Sequence, residues 1–295
     1  MVTLTKQKKS LGVLFIILSA FCFALMSLFV KLSGDLPVFQ KVFFRNLIAT
    51  FLSFFLLLKT KDFSVKKGNV KLLACRIISG MFGIIFNFYA ISTMATYSDA
   101  TILNKLAPFF AVIFSIFILK EKTKWFDWIL LVCAFLGAVL IAKPTLNFSQ
   151  SIPSISAVLG ALFAGLAYTI IRRLSFNGER SSAIVFYYSL ISTIVFLPIM
   201  IITYEPMEEW QLLYLILTGV CACGGQLAVT KAYSYAPARE ISVYDYSQVL
   251  FAAVLGFFIL EELPDYLSFI GYVIIIASAV IRYLISRKNH LHNLK

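Results

Sequence analysis

The chain has 295 residues, of which 60% are hydrophobic and only 14% are charged. Soluble globular proteins carry roughly 25% charged residues, and one domain of this size cannot bury repeated apolar runs of about 20 residues. The composition therefore indicates an integral membrane protein and excludes water-soluble enzymes and nucleic-acid-binding proteins. The net charge of +12 comes from an excess of Lys and Arg. In membrane proteins such an excess usually sets the orientation in the bilayer rather than binding a ligand.

The residues that usually carry catalysis or metal binding are scarce. Both histidines, His290 and His292, follow the last apolar run, and the five cysteines lie inside apolar stretches without metal-ligand or disulfide spacing. Nucleotide-binding and hydrolase motifs are absent. We therefore predict no catalytic site, no metal and no cofactor, and we expect that the protein is not an enzyme.

Ten apolar stretches are long enough to be membrane spans, and their lack of polar alternation favours helices over a barrel. The predicted architecture is an all-α membrane bundle of ten helices. In chain order the spans are 11–32, 37–58, 70–92, 97–119, 125–142, 153–173, 182–203, 210–232, 238–260 and 266–284.

The basic residues predict the orientation. If the N-terminus is cytoplasmic, 21 of the 26 Lys and Arg residues fall on the cytoplasmic side, whereas the outer connections 205–209 and 261–265 are acidic. The positive-inside rule then places both termini in the cytoplasm. We expect a multi-pass protein of the inner or plasma membrane.

The chain resembles itself at an offset of 141 residues. Six of the twelve positions 110–121 are identical to their counterparts in 251–262. Each half has five spans, and because five is odd, the second half enters the membrane from the opposite side, as an inverted repeat. The predicted division is a cytoplasmic tail 1–10, a first repeat 11–142, an outer linker 143–152, a second repeat 153–284 and a cytoplasmic tail 285–295.

Small and polar residues follow one face of spans four and nine. Lipid favours neither kind, so such a face is either a close-packing seam or the wall of a wet cavity. The two stripes are Thr101, Asn104, Pro108, Ala111 and Ser115, and Ser242, Asp245, Val249, Ala252 and Gly256.

Ten spans in two inverted halves, together with several short motifs, resemble the EamA-type drug/metabolite transporters over about residues 11–284. The motifs are Lys31 at the end of span one, the Pro37–Arg45 opening of span two, Ala107–Val112 followed by Leu119-Lys120-Glu121, Tyr246–Ala253 and Leu260–Asp265. The resemblance implies a carrier of small organic solutes, often an exporter in bacteria, whose central cavity is lined by spans one, three, four, six, eight and nine. Asn104 and Lys105 depart from the family, which is commonly apolar before this proline, and they put a cation near the cavity.

Asp245 is the strongest candidate for a substrate-binding residue. A carboxylate inside a span costs about 2.5 to 3.5 kcal/mol unless it is paired or wet. It could bind a substrate ammonium or a proton, or it could form a structural pair with Lys105, Arg45 or Arg76. Lys105 could itself reach the cavity or extend to the outer interface, because it lies about 100° around the helix from Asn104.

Other polar residues inside the spans are candidates for holding an organic solute by stacking and hydrogen bonds, with interhelical packing as the alternative. The predicted binding residues, besides Asp245, Asn104 and Lys105, are Tyr244, Gln248, Tyr168, Asn87 and Gln226. Lys31 and Arg172 lie at symmetry-related helix ends, where they could act as gates or bind headgroups and loop carboxylates.

These observations favour a secondary carrier that exports an amino acid or a related zwitterion by alternating access between the halves. Its predicted partners are a small-molecule substrate and the lipid bilayer, with no nucleic acid, and coupling to a proton or a counter-substrate is open. A channel-like or structural membrane component is the main alternative. An integral-membrane enzyme is a further one, although the sequence offers no convergent set of catalytic groups.

Overall fold

The computed structural model describes residues 6–60, 63–93, 103–142, 151–260 and 266–292. These residues contain no β-strand, and nearly all of them are helical. The helices are α1 (Lys6–Leu32), α2 (Val38–Thr60), α3 (Val70–Thr93), α4 (Ala107–Leu119), α5 (Trp125–Ala142), α6 (Ser151–Phe176), α7 (Ser181–Ile202), α8 (Glu209–Tyr235), α9 (Ser247–Leu260) and α10 (Tyr266–His292). A 3₁₀ turn, Lys67–Asn69, precedes α3. One helical turn, Ala238–Ile241, and a 3₁₀ turn, Ser242–Tyr246, precede α9.

Eight helical segments are long and apolar enough to cross a membrane, one of which, Ala238–Ile259, consists of the two turns before α9 together with most of α9. The helices α4 and α5 are shorter apolar helices. The first six residues of predicted span four, 97–102, lie outside the described residues, as do 143–150 of the predicted linker. The helices also extend past the predicted spans, since α1 begins at Lys6 and α10 continues to His292. Hydropathy marks the part of a helix that crosses lipid, whereas backbone hydrogen bonds continue into water.

In each of the predicted spans four and nine, the α-helix is interrupted by a turn inside the apolar stretch. Lys105 and Leu106 form a turn before α4, because Pro108 has no N–H to donate to the preceding helical turn. In the second half the 3₁₀ turn that ends at Tyr246 takes the equivalent place, and Ser247 Oγ donates to the Tyr244 carbonyl at 2.7 Å. The two breaks occur at corresponding positions of the two halves.

The most extensive helix packing joins one half of the chain to the other. Among the described residues, the closely packed pairs are α1 with α8, α3 with α6, α5 with α10, α2 with α7, α4 with α6, α2 with α8 and α1 with α9. Some of these helices approach through small residues: a Cβ on Gly165 of α6 would lie 2.7 Å from Ala111 N and 2.9 Å from Ala107 O of α4. Packing of this kind suits a membrane interior, where close backbone approach stabilises helix pairs.

Among the described residues, three of the four ion pairs between the halves lie at one end of the bundle, which we call the Lys9 end. Lys9 Nζ lies 2.9 Å from Glu240 Oε1. The other two pairs are buried: Arg172 with Glu121, and Arg282 with Asp127. At the opposite end the halves meet through neutral hydrogen bonds, such as Gln40 Nε2 to the Glu205 carbonyl at 2.9 Å.

Candidate functional site

A polar cavity of about 150 Å³ lies between the two halves, and we call it the central cavity. Its wall includes residues of α1, α3, α6, α8 and α9 and the turn before α4, which are the six spans that the family resemblance implies, and also residues of α2 and α7. Four charged residues line it, Arg45, Arg76, Lys105 and Asp245. The uncharged polar residues in the wall are Ser27, Asn87, Asn104, Tyr168, Tyr188, Gln226 and Gln248.

Lys105 and Asp245 form an ion pair across the two broken helices. Lys105 Nζ lies 3.3 Å from Asp245 Oδ2 and donates to Gln248 Oε1 at 2.7 Å. The side chains of Lys105 and Asp245 are 7% and 13% exposed. Of the pairings open in the sequence, the structure has the one between Asp245 and Lys105, so this carboxylate already has a cationic partner in this state.

The helix break itself brings Lys105 to the cavity. The turn at Lys105 replaces α-helical hydrogen bonds by shorter-range ones, such as Leu106 N to Leu103 O at 3.1 Å. The Lys105 carbonyl then accepts the hydroxyl of Tyr246 at 2.9 Å. Both the side chain and the backbone of Lys105 therefore bind the second half. An uninterrupted helix would have turned Lys105 about 100° away from Asn104, whereas here both residues line the cavity.

Arg45 and Arg76 are the other two cations of the cavity, and both are buried. Arg45 donates to Asn46 Oδ1 at 2.9 Å and to the Met26 sulfur at 3.5 Å. Arg76 donates to Gln226 Oε1 at 3.1 Å and lies over the ring of Tyr188, 4.3 Å from its centroid. All these partners are neutral, unlike the partner of Lys105.

The cavity is closed toward the Lys9 end by two layers. Tyr168 lines the cavity, and its ring stacks on that of Tyr233 with 5.0 Å between centroids. One turn further along α6, Arg172 binds Glu121 and donates to the Tyr233 carbonyl at 3.0 Å. Glu121 is in reach because α4 ends at Leu119 and the next residue, Lys120, turns the chain with a φ of 55°. The Glu121 N–H then donates to the Ser115 carbonyl.

Seven of the eight predicted binding residues line the central cavity: Asp245, Gln248, Tyr168, Asn104, Lys105, Asn87 and Gln226. Asn87 Oδ1 has no hydrogen-bond partner among the described residues. Tyr244 is instead packed in the buried hydrophobic core, because consecutive residues of a helical turn point in different directions and Asp245, its neighbour, takes the cavity side.

The two predicted helix-end residues differ in their surroundings. Arg172 is 3% exposed and forms an ion pair with Glu121, a carboxylate in the loop after α4. Binding of a loop carboxylate was one of the two roles considered from the sequence, the other being that of a gate. Lys31 is exposed in the last turn of α1. Neither residue lines the central cavity.

Sequence reasoning missed Arg45, Arg76 and Tyr188 as cavity residues. The count of basic residues placed Arg76 on the cytoplasmic side and Arg45 among the five on the outer side, and both were otherwise considered only as possible partners of Asp245. The signal that could have found them is depth, since Arg45 lies eight residues and Arg76 six residues after the start of an apolar span. A charge at such a depth in a membrane helix usually faces a cavity or a partner.

Comparisons with known proteins agree with this architecture. The profile of the EamA-like transporter family matches residues 10–143 and again residues 151–284. The pseudopaline exporter CntI of Pseudomonas aeruginosa is 34% identical over 91% of this chain and 94% of its own length. Solute carrier family 35 member G1 of Homo sapiens is 26% identical over 92% of this chain and 78% of its own length.

A third relative covers less of the chain. The S-adenosylmethionine uptake transporter of Rickettsia prowazekii is 28% identical over 64% of this chain and 63% of its own length. A solved crystal structure superimposes with a TM-score of 0.80 at 16% identity, covering 95% of this chain and 99% of that one, which shows a shared fold. The family and these relatives are transporters and not enzymes, and the chain belongs to the EamA-like transporter family.

Proposed function

We propose that the protein is a secondary carrier of the inner or plasma membrane that exports a small organic metabolite, an amino acid or a related zwitterion, by alternating access. The central cavity carries this proposal, because it lies where the broken helices of the two halves meet and holds charges of both signs. Charged groups inside a membrane bundle commonly mark a path or a site for a polar solute. Export is favoured by the exporter that is 34% identical over nearly the whole chain.

Ten spans in two inverted repeats would supply the moving parts. If each helix of α1–α5 is replaced by its counterpart in α6–α10, and the reverse, every main helix pair becomes an observed pair. The α1–α8 pair becomes α6–α3, the α4–α6 pair becomes α9–α1, and the α2–α7 and α5–α10 pairs become themselves. All of these pairs are present, which supports a two-fold relation between the repeats 11–142 and 153–284. With five spans in each repeat, that relation is an inversion, and the halves can rock about a central site.

The orientation follows from the basic residues, with both termini and the Lys9 end in the cytoplasm. In this orientation the described state is closed to the cytoplasm by the Tyr168–Tyr233 stack and the Arg172–Glu121 pair. An exporter must open this end to load its substrate, so the ion pairs between the halves have to break and re-form in every cycle.

A reversible crosslink at the Lys9 end tests alternating access. Lys9→Cys and Glu240→Cys, combined in a background without the native cysteines, place two thiols where the ion pair now lies. A bifunctional thiol reagent that is cleaved by reduction should stop transport, and reduction should restore it. Each single variant, treated with the same reagent, is the control. Transport at the unmodified rate by the fully crosslinked protein would contradict the proposal.

Substrate and direction need a second experiment. Untargeted metabolite profiling of cells with and without the protein identifies what accumulates outside, and uptake into everted vesicles then measures export of that compound. A carrier should saturate and show counterflow. Flux without either property would favour the channel-like alternative, and uptake only in right-side-out vesicles would reverse the direction.

A further inference from the structure

We propose that Arg45 and Arg76 form a carboxylate-binding site in the central cavity, so that the transported metabolite carries at least one more carboxylate than ammonium groups. The inference rests on the proposed carrier function and adds the charge of the substrate to it. It assigns the recognition of the cargo to the two arginines rather than to Asp245.

The charges of the central cavity do not balance. Three cations, Arg45, Arg76 and Lys105, and one anion, Asp245, are in its wall within the described part of the chain. Lys105 is the partner of Asp245 at 3.3 Å. Two positive charges therefore remain without a carboxylate, and arginine cannot lose its proton under physiological conditions.

Arg76 is held flat against Tyr188, and among the described residues its Nε donor is unpaired. The guanidinium lies over the Tyr188 ring, and a Cβ on Gly80 would come within 2.1 Å of Arg76 Nη1 and 2.6 Å of that ring. Glycine at position 80 therefore leaves the space in which the guanidinium lies flat. Its Nη2 donates to Gln226, whereas its Nε is buried without a hydrogen-bond partner in the described structure.

Arg45 reaches the same cavity from α2. It is 3% exposed, and its bonds go to the amide oxygen of Asn46 and to the Met26 thioether, a weak acceptor. No described carboxylate pairs with either Arg45 or Arg76. A guanidinium has five N–H donors, so these neutral partners leave donors of both arginines for a ligand.

Two unneutralised guanidinium groups inside a membrane protein are costly, and an anionic ligand offsets that cost. The planar fork of arginine matches a carboxylate in a bidentate geometry that lysine cannot provide. A net cationic solute would meet repulsion from both arginines, and the carboxylate of Asp245 is already occupied. The cavity therefore selects for anionic cargo.

Binding of defined probes to the purified full-length protein in nanodiscs tests the site. The probes are glutamate and citrate as carboxylates, putrescine as a cation and glycerol phosphate as a phosphate ester, each followed by thermal shift and by inhibition of transport in proteoliposomes. We expect that a carboxylate raises the melting temperature and that putrescine does not. Stabilisation by glycerol phosphate alone, by putrescine alone or by no carboxylate at millimolar concentration would overturn the proposal.

Variants separate a binding role from a structural one. Arg45→Gln and Arg76→Gln should each weaken carboxylate binding by about tenfold or more. Lys71→Gln removes one charge from the exposed side of α3 and is the matched control. The ligand-free melting temperature of the two arginine variants should be equal to or above that of the parent, because an unneutralised buried charge is gone. A purely structural arginine would give a lower melting temperature and unchanged probe affinity, which would refute the site.

Two conservative variants keep the test decisive if a glutamine variant fails to fold. Arg76→Lys retains the charge but not the fork, and should lose carboxylate affinity severalfold while remaining folded. Gly80→Ala leaves the charge and displaces the guanidinium, and should have a similar effect. If the protein shows saturable counterflow of a probe without carboxylates, and both variants leave that counterflow unchanged, the carboxylate site is wrong and the carrier function stands.

Discussion

Asp245→Asn is the substitution that best shows whether Asp245 forms a structural ion pair with Lys105 or binds a substrate ammonium. It keeps the size of the side chain and an oxygen that can accept a hydrogen bond, and it removes the negative charge. Lys105 Nζ then faces a neutral amide oxygen and keeps Gln248 Oε1 at 2.7 Å. The variant therefore leaves a third uncompensated cation beside Arg45 and Arg76.

The expected loss of stability follows from the geometry. Removing one member of a buried pair costs about 3–5 kcal/mol. Here the 3.3 Å separation is long, and the amide and Gln248 continue to accept hydrogen bonds, so we expect about 1–3 kcal/mol. That corresponds to a melting temperature lower by roughly 2–10 °C.

The assay is a double-mutant cycle on purified protein in one detergent, with melting temperature and proteoliposome uptake measured on the same samples. Lys105→Gln and the combination with Asp245→Asn complete the cycle. Because the double variant contains neither charge, it should be more stable than the sum of the single effects predicts, by about 1 kcal/mol or more.

Two results would refute this reasoning. Additive effects of Asp245→Asn and Lys105→Gln would mean that the pair contributes no coupling energy. A melting temperature unchanged by Asp245→Asn, together with a tenfold loss of affinity for a cationic or zwitterionic substrate, would instead assign the carboxylate to a substrate ammonium.

Further predictions concern the closed end, the orientation and the packing. Glu121→Gln leaves the buried Arg172 side chain without its carboxylate and should lower the melting temperature more than Lys9→Gln does. The reason is that Lys9 is 35% exposed, so that its ion pair contributes about 1 kcal/mol or less. Equal shifts in melting temperature would contradict the closing role of the buried pair. In a cysteine-free background, Glu208→Cys should react with an impermeant thiol reagent added outside sealed cells and Lys66→Cys should not; labelling at position 66 would reverse the orientation. Gly165→Ala should destabilise the protein by about 1–3 kcal/mol, because the added Cβ meets the backbone of α4 at 2.7–2.9 Å; a melting temperature equal to that of the parent would show that α4 and α6 can separate freely.

Much of the helical architecture could be predicted because membrane spans have a strong signal in hydropathy. The family was predicted from short motifs, and the two matches of its profile confirm it. The eight long spans lie close to their predicted bounds. Their ends were less predictable, since a helix such as α10 continues beyond the apolar residues that define its span.

The local conformation of the cavity residues was harder to predict. The prediction of polar stripes on spans four and nine assumed a continuous helix with 3.6 residues per turn. The turn at Lys105 and the 3₁₀ turn Ser242–Tyr246 interrupt that helix and change the direction of the side chains. Pro108 was a visible warning in the first half. The second half has no proline at the corresponding position, so nothing in the residue types there indicated a break before Ser247.

The arginines were missed for a different reason. Counting basic residues by side treats each of them as a marker of orientation, although a few serve inside the bundle. Arg45 and Arg76, like Lys105 and Arg282, have apolar residues close by on both sides in the sequence. Depth within a span, rather than the number of basic residues on each side, separates the cations inside the bundle from those that mark orientation.

The packing between halves has a consequence for how the protein is made. Because the main partners of α1, α2, α3 and α5 lie in α6 to α10, the first half emerges from the ribosome before the helices that cover it exist. Arg45 and Arg76 must then be sheltered by the insertion machinery or face lipid until synthesis is nearly finished. We therefore expect that the two segments that match the family profile do not fold independently of each other. A chain truncated after the first repeat should be degraded rather than accumulate, and the halves expressed as two polypeptides should become stable only when they are made together.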